Sequence, residues 1–109
     1  MIHSISPEQA YELISRGDVD VVDVRDPSEW SSGHIPNARL VPLEQLRGNP
    51  AATLPRDGVL FICAAGVRSQ TAARVAASVG HTTVYSVTGG TRAWARAGLP
   101  LENDIQVAV

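Results

Sequence analysis

At 109 residues the chain is long enough for one hydrophobic core and too short for a separate substrate domain. Its 44% hydrophobic and 18% charged residues are those expected of a soluble globular protein, and no apolar run approaches bilayer length. Nine basic and eleven acidic residues, scattered to a net charge of −2, leave no basic stripe for nucleic acid, and a single cysteine excludes both an internal disulfide and a cysteine-rich metal centre.

The segment Met1 to Ile5 lacks the basic start and apolar stretch of a secretory leader, so a cytoplasmic protein is expected. Ser6, Pro7 and Gln9 supply a helix cap, a first-turn proline and a capping-box partner; Ala10, Leu13 and Ile14 form an apolar stripe, and Gly17 stops the helix. The β-branched run Val19 to Val24 predicts a strand buried in a sheet. Asp26, Pro27 and Glu29 repeat the cap pattern, predicting a short helix through Trp30 that Gly33 ends. A brief strand around Arg39 to Val41 and a helical turn near Leu43 to Arg47 follow. Asn49 to Gly58, with Pro50 and Pro55, reads as the loosest connection. Val59 to Ile62 is a second buried strand, with Cys63 at its end. After Ala64-Ala65-Gly66-Val67 the period becomes helical, with Ala72, Val75, Ala76 and Val79 on one stripe and Gly80 as the stop. Thr83 to Val87 reads as a third strand. Gly89-Gly90 opens a last helix in which Ala93, Trp94 and Ala97 are expected to face the sheet, closed by Gly98 and Pro100. Strand, loop, helix and strand in that order imply parallel pairing and a right-handed crossover. The expected fold class is α/β, a mostly parallel central sheet flanked by helices on both faces, as a single domain over residues 1–109. Nothing assigns a role to the tail 101–109.

A lone cysteine is either a buried core residue or a reactive centre. Ligands of open parallel sheets bind beyond the carboxyl ends of the strands, and Cys63 stands at such an end, which favours the reactive reading. A loop this short must turn directly into a helix, so backbone N–H groups without helical partners should converge near the sulfur. The helix start and Arg68 would both favour the thiolate. Each neighbour also has a plainer reading: Gly66 as a tight connection, Arg68 as a solvated first-turn residue, Ser69 as an ordinary helix-start hydroxyl.

Three segments resemble the rhodanese family. They are Val22 to Ala38, which contains Asp23-Val24-Arg25-Asp26-Pro27-Ser28-Glu29-Trp30; the loop Cys63-Ala64-Ala65-Gly66-Val67-Arg68-Ser69; and Val84 to Trp94, with Gly89-Gly90. The resemblance runs from about Ser4 to Pro100. It implies a sulfurtransferase of the thiosulfate sulfurtransferase type, in which Cys63 is the catalytic nucleophile and carries a sulfane sulfur as a persulfide. Ala64, Ala65, Gly66, Val67, Arg68 and Ser69 would line the substrate site. A small-molecule sulfur donor and a thiol or cyanide acceptor are the implied partners, with a sulfur-carrying protein as a further one; no cofactor, metal, nucleic acid or membrane is implied, and a monomer is the default. The chain departs from the family pattern at Asn37, where many members have glycine, and at Ala64, where many have arginine. The second departure leaves Arg68 as the loop's only charge, which counts against efficient binding of dianionic thiosulfate.

Other residues take structural readings. Asp23 and Arg25 are expected to hold strand ends together, His34 to be a hydrogen-bonded imidazole rather than a metal ligand, Trp94 to be core, and Asp26 and Glu29 to be helix caps. Two rival functions remain open. A cysteine phosphatase or arsenate reductase would use the same chemistry, but with a longer loop between cysteine and arginine than the four residues here. A non-catalytic rhodanese-like binding module would not need Cys63.

Overall fold

The computed structural model describes residues 2–103. Local capping sets its first helix as expected. Ser6 accepts from the Gln9 N–H at 3.1 Å while Gln9 accepts from the Ser6 N–H at 2.9 Å, and Gly17 closes α1 (Pro7–Arg16) in the left-handed conformation. The strand β2 (Asp20–Asp23) and the proline-initiated helix α2 (Pro27–Ser32) follow. Next come the two-residue strand β3 (Arg39–Leu40) and α3 (Leu43–Gly48). Beyond them β4 (Val59–Ile62), α5 (Val67–Ser78), β5 (Val84–Val87) and α6 (Gly90–Arg96) complete the expected alternation.

Two elements were not expected. Ile2–Ile5 forms a strand, β1, paired in parallel with β5 in the register Ile2 to Val84 through Ile5 to Val87. Four residues with two apolar ones carry no readable alternation, and the pairing partner lies some eighty positions away. Within the stretch read as loose, Pro50–Thr53 forms a single turn of helix, α4, with Asn49 accepting from the Ala52 N–H.

The sheet order is β1-β5-β4-β2-β3 with every pair parallel, so β4 occupies the middle. All four of its residues are buried, alternating between two cores. Val59, Phe61 and Cys63 join Val22, Val24, Leu46, Ala72, Ala73 and Ala76 on the face covered by α3 and α5. Leu60 and Ile62 join Ala10, Ile35, Val87 and Trp94 on the face covered by α1 and α6.

The buried stripe of α5 is Ser69, Ala72, Ala73 and Ala76, one turn earlier than expected. Val79 is the residue beyond the last helical one and stands 45% exposed. Small side chains along that stripe let the helix lie close to β4 and β5, which brings its first turn over the end of β4. At α6, Thr91 and Trp94 are buried, Ala93 is half-buried and Ala97, the residue that caps the helix, is exposed, so Ala97 does not face the sheet as expected. Of the tail, residues 104–109 lie outside the described residues.

Candidate active site

Cys63 leaves the middle strand with its side chain 1% exposed. The chain then reverses through Ala64, Ala65 and Gly66 into α5, and two backbone groups point back at the sulfur. The Gly66 N–H donates to Cys63 Sγ at 3.1 Å and the Ser69 N–H at 3.3 Å. Ser69 is in the first turn, where an N–H has no carbonyl one turn earlier to pair with, so its donor is free for the sulfur. The Ser69 hydroxyl stands 3.6 Å from Sγ. Gly66 enters the helix at φ 100°, a conformation that L side chains avoid, and a Cβ there would lie 3.1 Å from the Gly89 nitrogen.

The outer side of the loop rests on the start of α6. The Thr91 N–H donates to the Cys63 carbonyl at 2.8 Å, and the Arg92 N–H to the Ala64 carbonyl at 3.1 Å. These contacts turn the Cys63 and Ala64 carbonyls toward α6. Gly90 makes the contact possible, since a Cβ at φ 60° would sit 2.3 Å from the Cys63 carbonyl oxygen. From the sequence Gly89-Gly90 reads as a helix opening and as part of the resemblance; paired glycines soon after a strand are also the signal of a close backbone approach.

Behind the loop, Ser69 Oγ lies 2.7 Å from Ser86 Oγ of β5, and both residues are fully buried. Ser86 was not singled out from the sequence, although a serine between Tyr85 and Val87 in a buried strand is a polar group that must find a partner.

Arg68 is neither a solvated residue nor a free cation. Its Nη1 and Nη2 meet Glu29 Oε1 and Oε2 at 2.8 and 2.9 Å in a two-pronged pair. The guanidinium holds the Glu29 carboxyl down to about 2, against the opposing effect of burial and with help from the Asp26 N–H. Arg68 is raised in turn, chiefly by Glu29 and to a smaller degree by its closeness to Cys63. Glu29 therefore does more than the capping expected of it, though it also accepts from the Asp26 N–H at 3.1 Å. Ala64 is half-buried, while Ala65 and Val67 are exposed, Val67 by 75%. The mouth of the loop is apolar. Arg92 has an exposed side chain that makes no ion pair among the described residues.

The supporting residues behave as read. Arg25 binds both carboxylate oxygens of Asp23, the shortest contact 2.8 Å, and donates to the Gly33 carbonyl at 2.7 Å, tying β2 to the end of α2. His34 stacks on Trp30 at 3.7 Å, with Nδ1 2.9 Å from the Trp30 carbonyl. Asn37 adopts φ 69°, the left-handed turn its replacement of glycine requires. Trp94 is fully buried and donates from Nε1 to the Pro100 carbonyl at 2.8 Å. Among the described residues no three His, Cys, Asp or Glu side chains are placed to hold a metal ion, and no helix is long and apolar enough to cross a membrane.

Fold and loop together define a parallel α/β domain that sets one cysteine against two backbone N–H groups at a helix start. Residues 6–97 match the rhodanese-like domain, and the chain belongs to that family. It is 39% identical over 103 residues to the thiosulfate sulfurtransferase GlpE of Pseudomonas putida, covering 90% of this chain and 88% of that protein. A rhodanese-related protein from Thermoplasma volcanium superposes with a TM-score of 0.81 at 35% identity, over 92% of this chain and 97% of that one. A protein of unknown function from Rhodopseudomonas palustris, described as a possible tyrosine phosphatase, superposes with a TM-score of 0.80 at 31% identity, over 93% and 85%.

Proposed function

We propose that this chain is a thiosulfate sulfurtransferase-type enzyme in which Cys63 carries the sulfur as a persulfide and residues Ala64 to Ser69 form the substrate site. The Cys63 thiolate attacks the outer sulfur of the donor, a sulfur–sulfur bond forms, and the donor's own sulfur–sulfur bond breaks. With thiosulfate the leaving group is sulfite, which departs with the electron pair. A thiophilic acceptor then attacks the outer persulfide sulfur, and Cys63 leaves as the thiolate; cyanide becomes thiocyanate. The negative charge is on sulfur before and after each step. The observation that carries this reading is the pair of N–H groups at 3.1 and 3.3 Å from Sγ, fixed donors for that charge. With one cysteine in the chain no internal thiol can resolve the persulfide, so turnover depends on an external acceptor.

The surroundings favour a small or weakly anionic donor. Arg68 is compensated by Glu29, and the mouth at Ala65 and Val67 is apolar, so the loop itself offers a dianion little excess positive charge. We read a persulfide, free or protein-borne, as a donor alongside thiosulfate, and the cytoplasm as the working compartment. The phosphatase alternative is disfavoured by the four-residue spacing from Cys63 to Arg68 and by a guanidinium already engaged.

Intact-mass measurement tests the proposal. Thiosulfate or glutathione persulfide should add one sulfur atom at Cys63, cyanide should remove it, and Cys63→Ser should do neither. Equal sulfur transfer by Cys63→Ser, or Cys63-dependent hydrolysis of an aryl phosphate with no sulfur loading, would overturn it.

A further inference from the structure

Ser86 lies on β5, distant in sequence from the loop, yet its hydroxyl is fully buried 2.7 Å from Ser69 Oγ. Its hydroxyl forms no other hydrogen bond among the described residues. A buried hydroxyl must place its proton on an acceptor, and the acceptor within reach of Ser86 is Ser69 Oγ. Were Ser69 the donor instead, the Ser86 proton would be stranded in the core. With the Ser86 proton on Ser69, the Ser69 proton goes to the Gly66 carbonyl at 3.2 Å while the thiol of Cys63 donates to Ser69 Oγ at 3.6 Å; once Cys63 is a thiolate, Sγ becomes a second acceptor for the Ser69 proton. A charged sulfur is the stronger claimant of the two.

We infer that Ser86 is a positioning residue, which turns the Ser69 hydroxyl into a donor toward Cys63 and so favours its thiolate. Its functional meaning rests on the sulfur-transfer reading, whereas the hydroxyl chain can be tested without any transfer. The charged groups at this end of the sheet are Arg68 on α5 with Glu29 and Asp26 behind it, Asp23 at the end of β2 paired with Arg25 just beyond it, and Arg92 on α6. Substitution at Ser86 leaves all of them in place.

The experiment is the pH profile of Cys63 alkylation by iodoacetamide. Ser86→Ala removes the hydroxyl without adding volume. Ser86→Thr and Ser86→Val add nearly the same bulk and differ in the hydroxyl, so any packing effect cancels between them. Ser86→Ala and Ser86→Val should alkylate roughly tenfold more slowly on the acid side of the profile, and Ser86→Thr should be restored toward wild type. In a Ser69→Ala background, Ser86→Ala should add nothing, since its route to the sulfur is gone. Coincident profiles of the folded Thr and Val variants, or full additivity with Ser69→Ala, would overturn the inference. A shifted profile in a protein that no donor loads would leave the hydroxyl chain standing and sink the sulfurtransferase reading instead.

Discussion

A methyl group on Gly90 would lie 2.3 Å from the Cys63 carbonyl oxygen and 2.5 Å from the Ala64 carbonyl carbon. Both neighbours are backbone, so neither can yield by rotating a side chain. Gly90→Ala therefore combines a left-handed backbone penalty with overpacking against the loop, roughly 2–5 kcal/mol in all. Gly98 offers the matched control. It has φ 74° and open space around its missing Cβ, so Gly98→Ala should cost only the backbone part, about 1–2 kcal/mol. Urea unfolding of the two variants measures the difference, and sulfur transfer should fall in Gly90→Ala beyond what its unfolded fraction explains. Equal costs would mean that α6 does not brace the loop.

At the scale of elements, the tie between α2 and α5 is the Glu29–Arg68 pair. Each side chain is about one-third exposed, at 32% and 34%, so solvent screens the pair and its worth is about 1 kcal/mol. The Glu29 carboxyl is held to about 2 from an ordinary 4.5. A carboxyl lowered on folding gives stability that is fully present above its ordinary value and is lost as pH falls through the folded one. Glu29→Gln should accordingly destabilise near neutral pH and match wild type once the pH falls to about 2. The same substitution uncovers the Arg68 charge at the mouth. Thiosulfate KM should drop a few-fold at low salt, with the gain eroded as salt rises, if the compensated guanidinium is what limits a dianionic donor. An unchanged KM would show that Arg68 does not face the donor.

The whole molecule hangs Cys63 from its most enclosed strand. β4 pairs on both edges and is covered on both faces, whereas β1 and β3 each pair on one edge and β3 has two residues in register. Hydrogen exchange should therefore be slowest at the amides of Val59–Ile62, open only with global unfolding, and be faster at β1 and β3 through local opening. Protection of β1 equal to that of β4 would contradict this ranking. A rigid β4 holds the sulfur in place, so the loop's amides can be aimed in advance of the reaction.

Much of this was legible one residue at a time. Ser6 with Gln9, and Asp26 with Pro27 and Glu29, announced their helices because a cap satisfies orphan backbone groups within a few positions. The apolar run before Cys63 announced a buried strand and put the cysteine at its carboxyl end, and the turn into α5 foretold the convergent N–H groups. What stayed hidden depended on partners distant in the chain. β1 exists through β5, Ser86 matters through Ser69, Gly90 through the Cys63 and Ala64 carbonyls, and Arg68 changes from a free cation to a paired one through Glu29, thirty-nine positions away. Local propensity and capping act over a few residues and can be read along the chain; burial, close backbone approach and charge compensation are set by distance in space, and only the folded chain brings those groups together.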